Sequence, residues 1–224
     1  MKSSYYKYFA ALLLFGSNGI VASNINLPSY EIVLLRLLLG SLFLITVFTV
    51  SRQRFTFYRN KHTCLYLFIS ASAMGASWML LYEAYQQVGI SIASLAYYCG
   101  PVIVMILSPF LFRETLTWPK IAGFLTVLAG MCLVNLQALD EGKTIWGLFC
   151  GLMSAFMYAL MVTANKKAKP ESGLENSLLQ LVIGSFIVVA FVSMQKNFVL
   201  SLTTIDWIPV LLLGLLNTGI GCYL

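Results

Sequence analysis

The chain has 224 residues, 59% of them apolar and only 10% charged, with a mean hydropathy of +0.85, which excludes an ordinary water-soluble domain. The net charge of +6 does not point to nucleic acid, because the bases sit beside apolar stretches with no separate polar domain to hold them in a groove. The single histidine, His62, and the lack of a phosphate-binding glycine loop exclude a histidine-based catalytic or metal centre and ATP-driven chemistry, so no enzyme, cofactor or metal is expected.

Crossing about 30 Å of hydrocarbon takes roughly twenty helical residues, and lipid offers exposed backbone no partner, so each long apolar stretch is predicted to be a helix. The predicted spans run over 7–25, 30–51, 64–87, 91–112, 118–138, 145–165, 175–194 and 207–224. The first begins with Lys2 and Lys7 and reaches Ala22-Ser23, a loose imitation of a signal peptide; the polar Ser17 and Asn18 inside it favour a span that stays uncleaved. The second carries Arg36, the one basic residue well inside a span. Short turns such as Asn26-Leu27-Pro28 and Val88-Gly89-Ile90 alternate with longer basic connectors such as 51–63.

Charge alternates with the connectors. Lys2 and Lys7, then Arg52, Arg54, Arg59 and Lys61, then Arg113 and Lys120, then Lys166, Lys167 and Lys169 fall on one side; only Lys143 and Lys196 fall on the other. This pattern predicts a multi-pass protein of the cytoplasmic membrane with its N-terminus in the cytoplasm, facing anionic headgroups. Cys64, Cys99, Cys132, Cys150 and Cys222 are scattered without a CxxC pair, which argues against a metal site or a disulfide framework.

A weak internal repeat is visible when the region from Trp146 is laid over the start of the chain. The segment 146–158, closed by Lys166-Lys167, matches the first span, and 209–224 with Gly214, Gly219 and Gly221 matches 64–81. A five-helix unit has an odd number of crossings, so its second copy must be inverted. The fold expected is therefore an all-α polytopic membrane protein, an inverted repeat of five-helix units with about eight of ten helices present: a first unit over 7–138 and a second, incomplete unit over 145–224. The counterpart of 82–136 would then lie in two further helices. Inverted repeats characterise secondary transporters, whose substrate site lies near the midplane between copies.

The stretch Ala84-Tyr-Gln-Gln-Val-Gly-Ile-Ser-Ile-Ala-Ser-Leu-Ala-Tyr-Tyr-Cys-Gly-Pro101, continued by Phe110-Leu-Phe-Arg-Glu114, Ile121-Ala-Gly123 and Gly130, resembles the EamA-type transporters of the drug/metabolite transporter superfamily. Phe15-Gly-Ser-Asn18 and Arg36 fall where that family has an aromatic-Gly-Ser-Asn turn and an arginine. The resemblance implies ten helices and export of amino acids or related small metabolites, with a small solute and the lipid bilayer as partners. Import and a non-transporting scaffold stand as alternatives, and a homodimer is left open.

Asn18, Arg36, Trp78, Tyr97, Pro101 and Tyr158 are the candidate substrate-binding residues. Pro101, about ten residues into its span, removes a backbone donor and predicts a kink, either lining a cavity or absorbed by packing. Of Tyr97 and Tyr98, on adjacent faces, at most one points inward. Arg36 either anchors an anion or carboxylate, or snorkels to headgroups or pairs with Glu31 or Glu83. Ser154 and Tyr158 share a helix face, and Asn217 and Thr218 add polar groups that serve a cavity or interhelical hydrogen bonds. Glu83 sits at a helix end, too shallow for an intramembrane proton relay, and Glu114 is expected to pair with a nearby cation.

Overall fold

Where the sequence is apolar over a long run the backbone closes into helices, and these break at Ser17, at the turn before Ser29 and at Gly89. The computed structural model describes residues 2–135, 145–168, 172–194 and 207–223, and every regular element among them is helical. The ends of the predicted stretches at 136–138, and Lys143, Lys169 and Lys196, lie outside the described residues.

The first stretch is two helices, α1 (Lys2–Gly16) and α2 (Asn18–Ala22), parted at Ser17, whose hydroxyl donates back to the Leu14 carbonyl at 2.8 Å. Pro28 then precedes α3 (Ser29–Val50), where a missing N–H is harmless because first-turn donors have no intrahelical acceptor. A single turn of 3-10 helix at Phe57–Arg59 leads to α4 (Lys61–Tyr97).

Gly89 inside α4 has φ 78° and ψ 164°, a conformation open to glycine alone. The chain doubles back there. Ala84 and Ala93 both lie against Gly151, although nine residues of straight helix would hold them about 13 Å apart. The predicted turn at Val88-Gly89-Ile90 is thus a one-residue reversal. The helix yields again at Tyr98, and α5 (Cys99–Phe112) carries Pro101 in its first turn, so the predicted kink is a helix break one turn ahead of the proline.

The remaining elements are α6 (Trp118–Asn135), α7 (Ile145–Ala168), α8 (Gly173–Ser193), α9 (Trp207–Leu211), a π-helical stretch (Leu212–Ile220) and α10 (Gly221–Tyr223). Among the described residues, four stretches are long and apolar enough to cross a membrane by themselves: Ser29–Val50, Lys61–Phe112, Ile145–Ala168 and Gly173–Ser193.

Helix α3 forms the centre, with Val33, Leu37 and Leu44 packed among Leu181, Val188 and Leu213 from α8 and the π stretch. Helix α7 lies along α4 through small residues: Gly147 meets Val88 and Gln87, and Gly151 meets Ala84 and Ala96. There Ser77 and Ser154 exchange hydrogen bonds, each hydroxyl donating to the other's carbonyl at 2.9 and 2.7 Å. Small residues bring backbones close enough for dispersion and hydrogen bonding to replace the hydrophobic drive that lipid does not provide. Outward faces are apolar, with Leu13, Phe110 and Phe186 largely exposed while serines and threonines are buried. That inverted distribution suits hydrocarbon and makes the chain a polytopic membrane protein. Arg52, Arg54, Lys61, Arg113, Lys120, Lys166 and Lys167 gather at the end of the bundle where α3 and α5 finish.

Candidate substrate site

Arg36 is 2% exposed, two turns into α3. A guanidinium so placed must find partners, because an isolated buried charge is far costlier than a paired one. Its Nε donates to Thr218 Oγ1 at 3.1 Å and its Nη1 to the Tyr82 hydroxyl at 2.7 Å. The guanidinium carbon lies 3.9 Å from the centre of the Trp78 ring and 5.4 Å from that of Tyr82, so the aromatic faces add cation–π attraction. Nη2 has no partner among the described residues. The expected alternatives of snorkelling or pairing with Glu31 or Glu83 are not what is found: Arg36 is buried, and its hydrogen-bonding partners are two hydroxyls. Glu83 instead accepts from Ser29 and from Gln87, both at 3.0 Å.

Thr218 is positioned by the π stretch, where its hydroxyl donates to the Leu213 carbonyl five residues back at 2.9 Å. Tyr82 is positioned by α4, on which Trp78, Tyr82, Tyr85 and Gly89 fall at i, i+4, i+7 and i+11 along one face. This stripe leads into a cavity of about 730 Å³ between α2, the start of α3 and the Gly89 reversal of α4, whose walls include Asn26, Pro28, Tyr85, Gln86 and Gly89. Ile32 and Tyr82 line it too. Ile32 is one turn before Arg36, so the backbone of Arg36 lies about 6 Å beyond that wall residue along the helix.

The other expected residues are divided. Tyr97 turns inward and meets Tyr158 edge-on at 5.3 Å between ring centres, while Tyr98 is exposed. Gly100, beside Pro101, packs against Tyr158 and the Ala155 carbonyl. Asn18 belongs elsewhere: with Ser17 Oγ and the Leu14 carbonyl, its side-chain oxygen accepts from Asn217 Nδ2, at 2.9 to 3.0 Å. That cluster ties the α1–α2 break to the π stretch. Tyr82 was not among the expected residues, although its spacing from Trp78 and Tyr85 was there to be read.

The EamA-like transporter family matches residues 3–136. This chain belongs to that family. The transporter YxxF of Bacillus subtilis strain 168, described as uncharacterized, is 26% identical over 221 residues, covering 96% of this chain and 69% of the relative. A crystal structure with 18% identity superposes on 100% of this chain and 77% of its own length with a TM-score of 0.72, which establishes the shared fold. The protein is a membrane transporter of the EamA-like family.

At the opposite end from the cavity, the EamA chain is held by its own charges. Glu114, just past α5, pairs with Lys166 of α7 rather than with the neighbouring Arg113 or Lys120, and Ser108 donates to its other oxygen. Those hydrogen bonds hold the Glu114 carboxyl below its ordinary value. The Lys166 ammonium also sits 4.2 Å from the centre of the Phe112 ring. Deeper in the same end, Glu175 accepts from Thr56 N at 2.5 Å, Thr56 Oγ1 at 2.6 Å and Phe57 N at 2.9 Å, fixing the basic connector 51–60 against α8.

Proposed function

We propose that this EamA-family protein is a secondary transporter of the cytoplasmic membrane that exports amino acids or related small metabolites by alternating access. The observation that carries this reading is Arg36, a buried cation whose hydrogen bonds among the described residues go to two hydroxyls, one of them that of the cavity-lining Tyr82. Charge left without an ionic partner inside a bundle marks a place where a solute is handled. The gathering of seven cationic residues at the other end supports a cytoplasmic placement of that end and of the N-terminus, so the cavity opens outward.

The packing also supports two inverted units over 7–138 and 145–224. If α1, α3 and α4 correspond to α7, α8 and the π stretch, then the contact of α3 with the π stretch exchanges with that of α4 with α8. The contact of α4 with α7 exchanges with that of α1 with the π stretch, and α3 against α8 maps onto itself. Under this correspondence Arg36, Trp78 and Tyr82 come from the first unit and Thr218 from the second, as expected of a site between repeats. The eight predicted crossings fit the same scheme.

Transport is tested with the full chain in proteoliposomes loaded with single labelled amino acids, measuring efflux and uptake in vesicles of known orientation. Efflux from the cationic side toward the cavity side of at least one solute is expected. Movement in the opposite sense alone would replace export by import, and no flux of any amino acid, amine or related metabolite would remove the reading.

A further inference from the structure

Two hydroxyls share the Arg36 guanidinium, and they are held differently. Thr218 is fixed by a second bond, its own proton going to the Leu213 carbonyl, so its oxygen is a permanent acceptor for Nε. The Tyr82 hydroxyl accepts from Nη1 and has no second hydrogen bond among the described residues. Tyr82 is also the residue that both lines the cavity and touches Arg36. Next to Nη1 stands Nη2, buried and without an acceptor.

Nη1 and Nη2 form one edge of the guanidinium fork, the edge that takes both oxygens of a carboxylate in parallel. In this conformation half of that edge is occupied by a phenol and half is empty of partners. A neutral hydroxyl is a weaker acceptor than a carboxylate, and an ionised acceptor makes a bond about twice as strong.

Resting on the transporter reading, we propose that Tyr82 is a displaceable plug, holding half of the Arg36 fork until a substrate carboxylate arriving through the cavity takes both Nη1 and Nη2. One guanidinium balances one negative charge, so the favoured ligand is a monoanionic carboxylate head rather than a phosphate dianion, and the Trp78 face already occupied by the guanidinium orients the fork. The plug makes Tyr82 a specificity-determining residue: it gives up its place to an anion and not to an amide or an amine.

The test separates binding from flux. Each amino acid, its carboxamide and the corresponding phosphonate are titrated against the full chain in detergent, with ligand-induced thermal stabilisation as readout. Acids are expected to bind at least about tenfold more tightly than amides, a difference of about 1.4 kcal/mol, and more tightly than phosphonates. Tyr82→Phe, which keeps the ring and deletes the competing hydroxyl, should tighten acid binding several-fold while lowering the unliganded melting temperature, because Nη1 loses its acceptor until a ligand arrives. Arg36→Lys, which offers no fork, should lose the acid-over-amide preference. Amides binding as well as acids, phosphonates binding better, or Tyr82→Phe leaving acid affinity unchanged or weaker would each overturn the plug. Acid-selective binding with no flux in proteoliposomes would keep the plug and sink the transport reading; flux of amides equal to acids would do the reverse.

Discussion

Arg36 and Glu175 are buried almost equally, 2% and 3% exposed, yet they are treated in opposite ways. Glu175 receives three donors from a connector 118 to 119 residues away and is fully enclosed in hydrogen bonds. Arg36 has two acceptors, both neutral, and keeps one nitrogen without a partner among the described residues. A buried charge satisfied on every side is part of the framework. One left partly unsatisfied, next to a cavity, is held ready for something that comes and goes.

The sharpest way to break this comparison is to remove each charge in turn. Glu175→Ala leaves the half-buried Thr56 and Phe57 donors without their acceptor, and should cost about 3 kcal/mol of stability. Thermal unfolding in detergent should register it, together with faster proteolysis within 51–60. Between the two sites runs the α4–α7 seam. Gly151→Leu would push a side chain into Ala84 and Ala96 and should destabilise by about 2 kcal/mol, seen in the same unfolding measurement. Arg36→Met should change stability by no more than about 1 kcal/mol, because a buried charge lacking an ionic partner contributes little to folding, while flux in proteoliposomes falls at least about tenfold. If Arg36→Met destabilises as much as Glu175→Ala, the guanidinium is framework too and the contrast fails.

The smallest effect belongs to the exposed pair Glu114–Lys166. Because the folded carboxyl lies below its ordinary 4.5, its contribution is complete above that pH and is lost as pH falls through the lower folded value. The melting temperature of wild type should therefore decline slightly more than that of Glu114→Gln between neutral pH and acid, with the difference shrinking in high salt.

Much of the fold could be read in the sequence because lipid simplifies the problem: apolar length sets the helices, and Ser17, Pro28 and Gly89 mark their breaks. Arg36 stood out for the same reason, a lone cation in an apolar run. Its partners did not, since Tyr82 is 46 residues away and Thr218 is 182, and only tertiary packing brings them together. Asn18 was equally prominent and turned out to bind Asn217, because a polar residue in a span serves helix packing as readily as a cavity. Glu175 left a usable trace: Ser172-Gly-Leu-Glu175 has the spacing of a capping box. Ser172 accepts from Glu175 N at a long 3.5 Å, but the carboxylate reaches across to Thr56 and Phe57 instead of back to its own helix.

The π stretch Leu212–Ile220 has a consequence for which changes of length this chain tolerates. Each turn closing from i to i+5 takes in one more residue than an α turn, and a helix advances about 100° per residue. Deleting a single residue there would let the stretch relax to ordinary α geometry and rotate Thr218 about a quarter turn away from Arg36, with Gly219 carried off its place against Phe43. Between Trp207 and Tyr223 the residue count is thus as much a specification as the residue types, and one-codon deletions should be rejected where conservative substitutions are accepted.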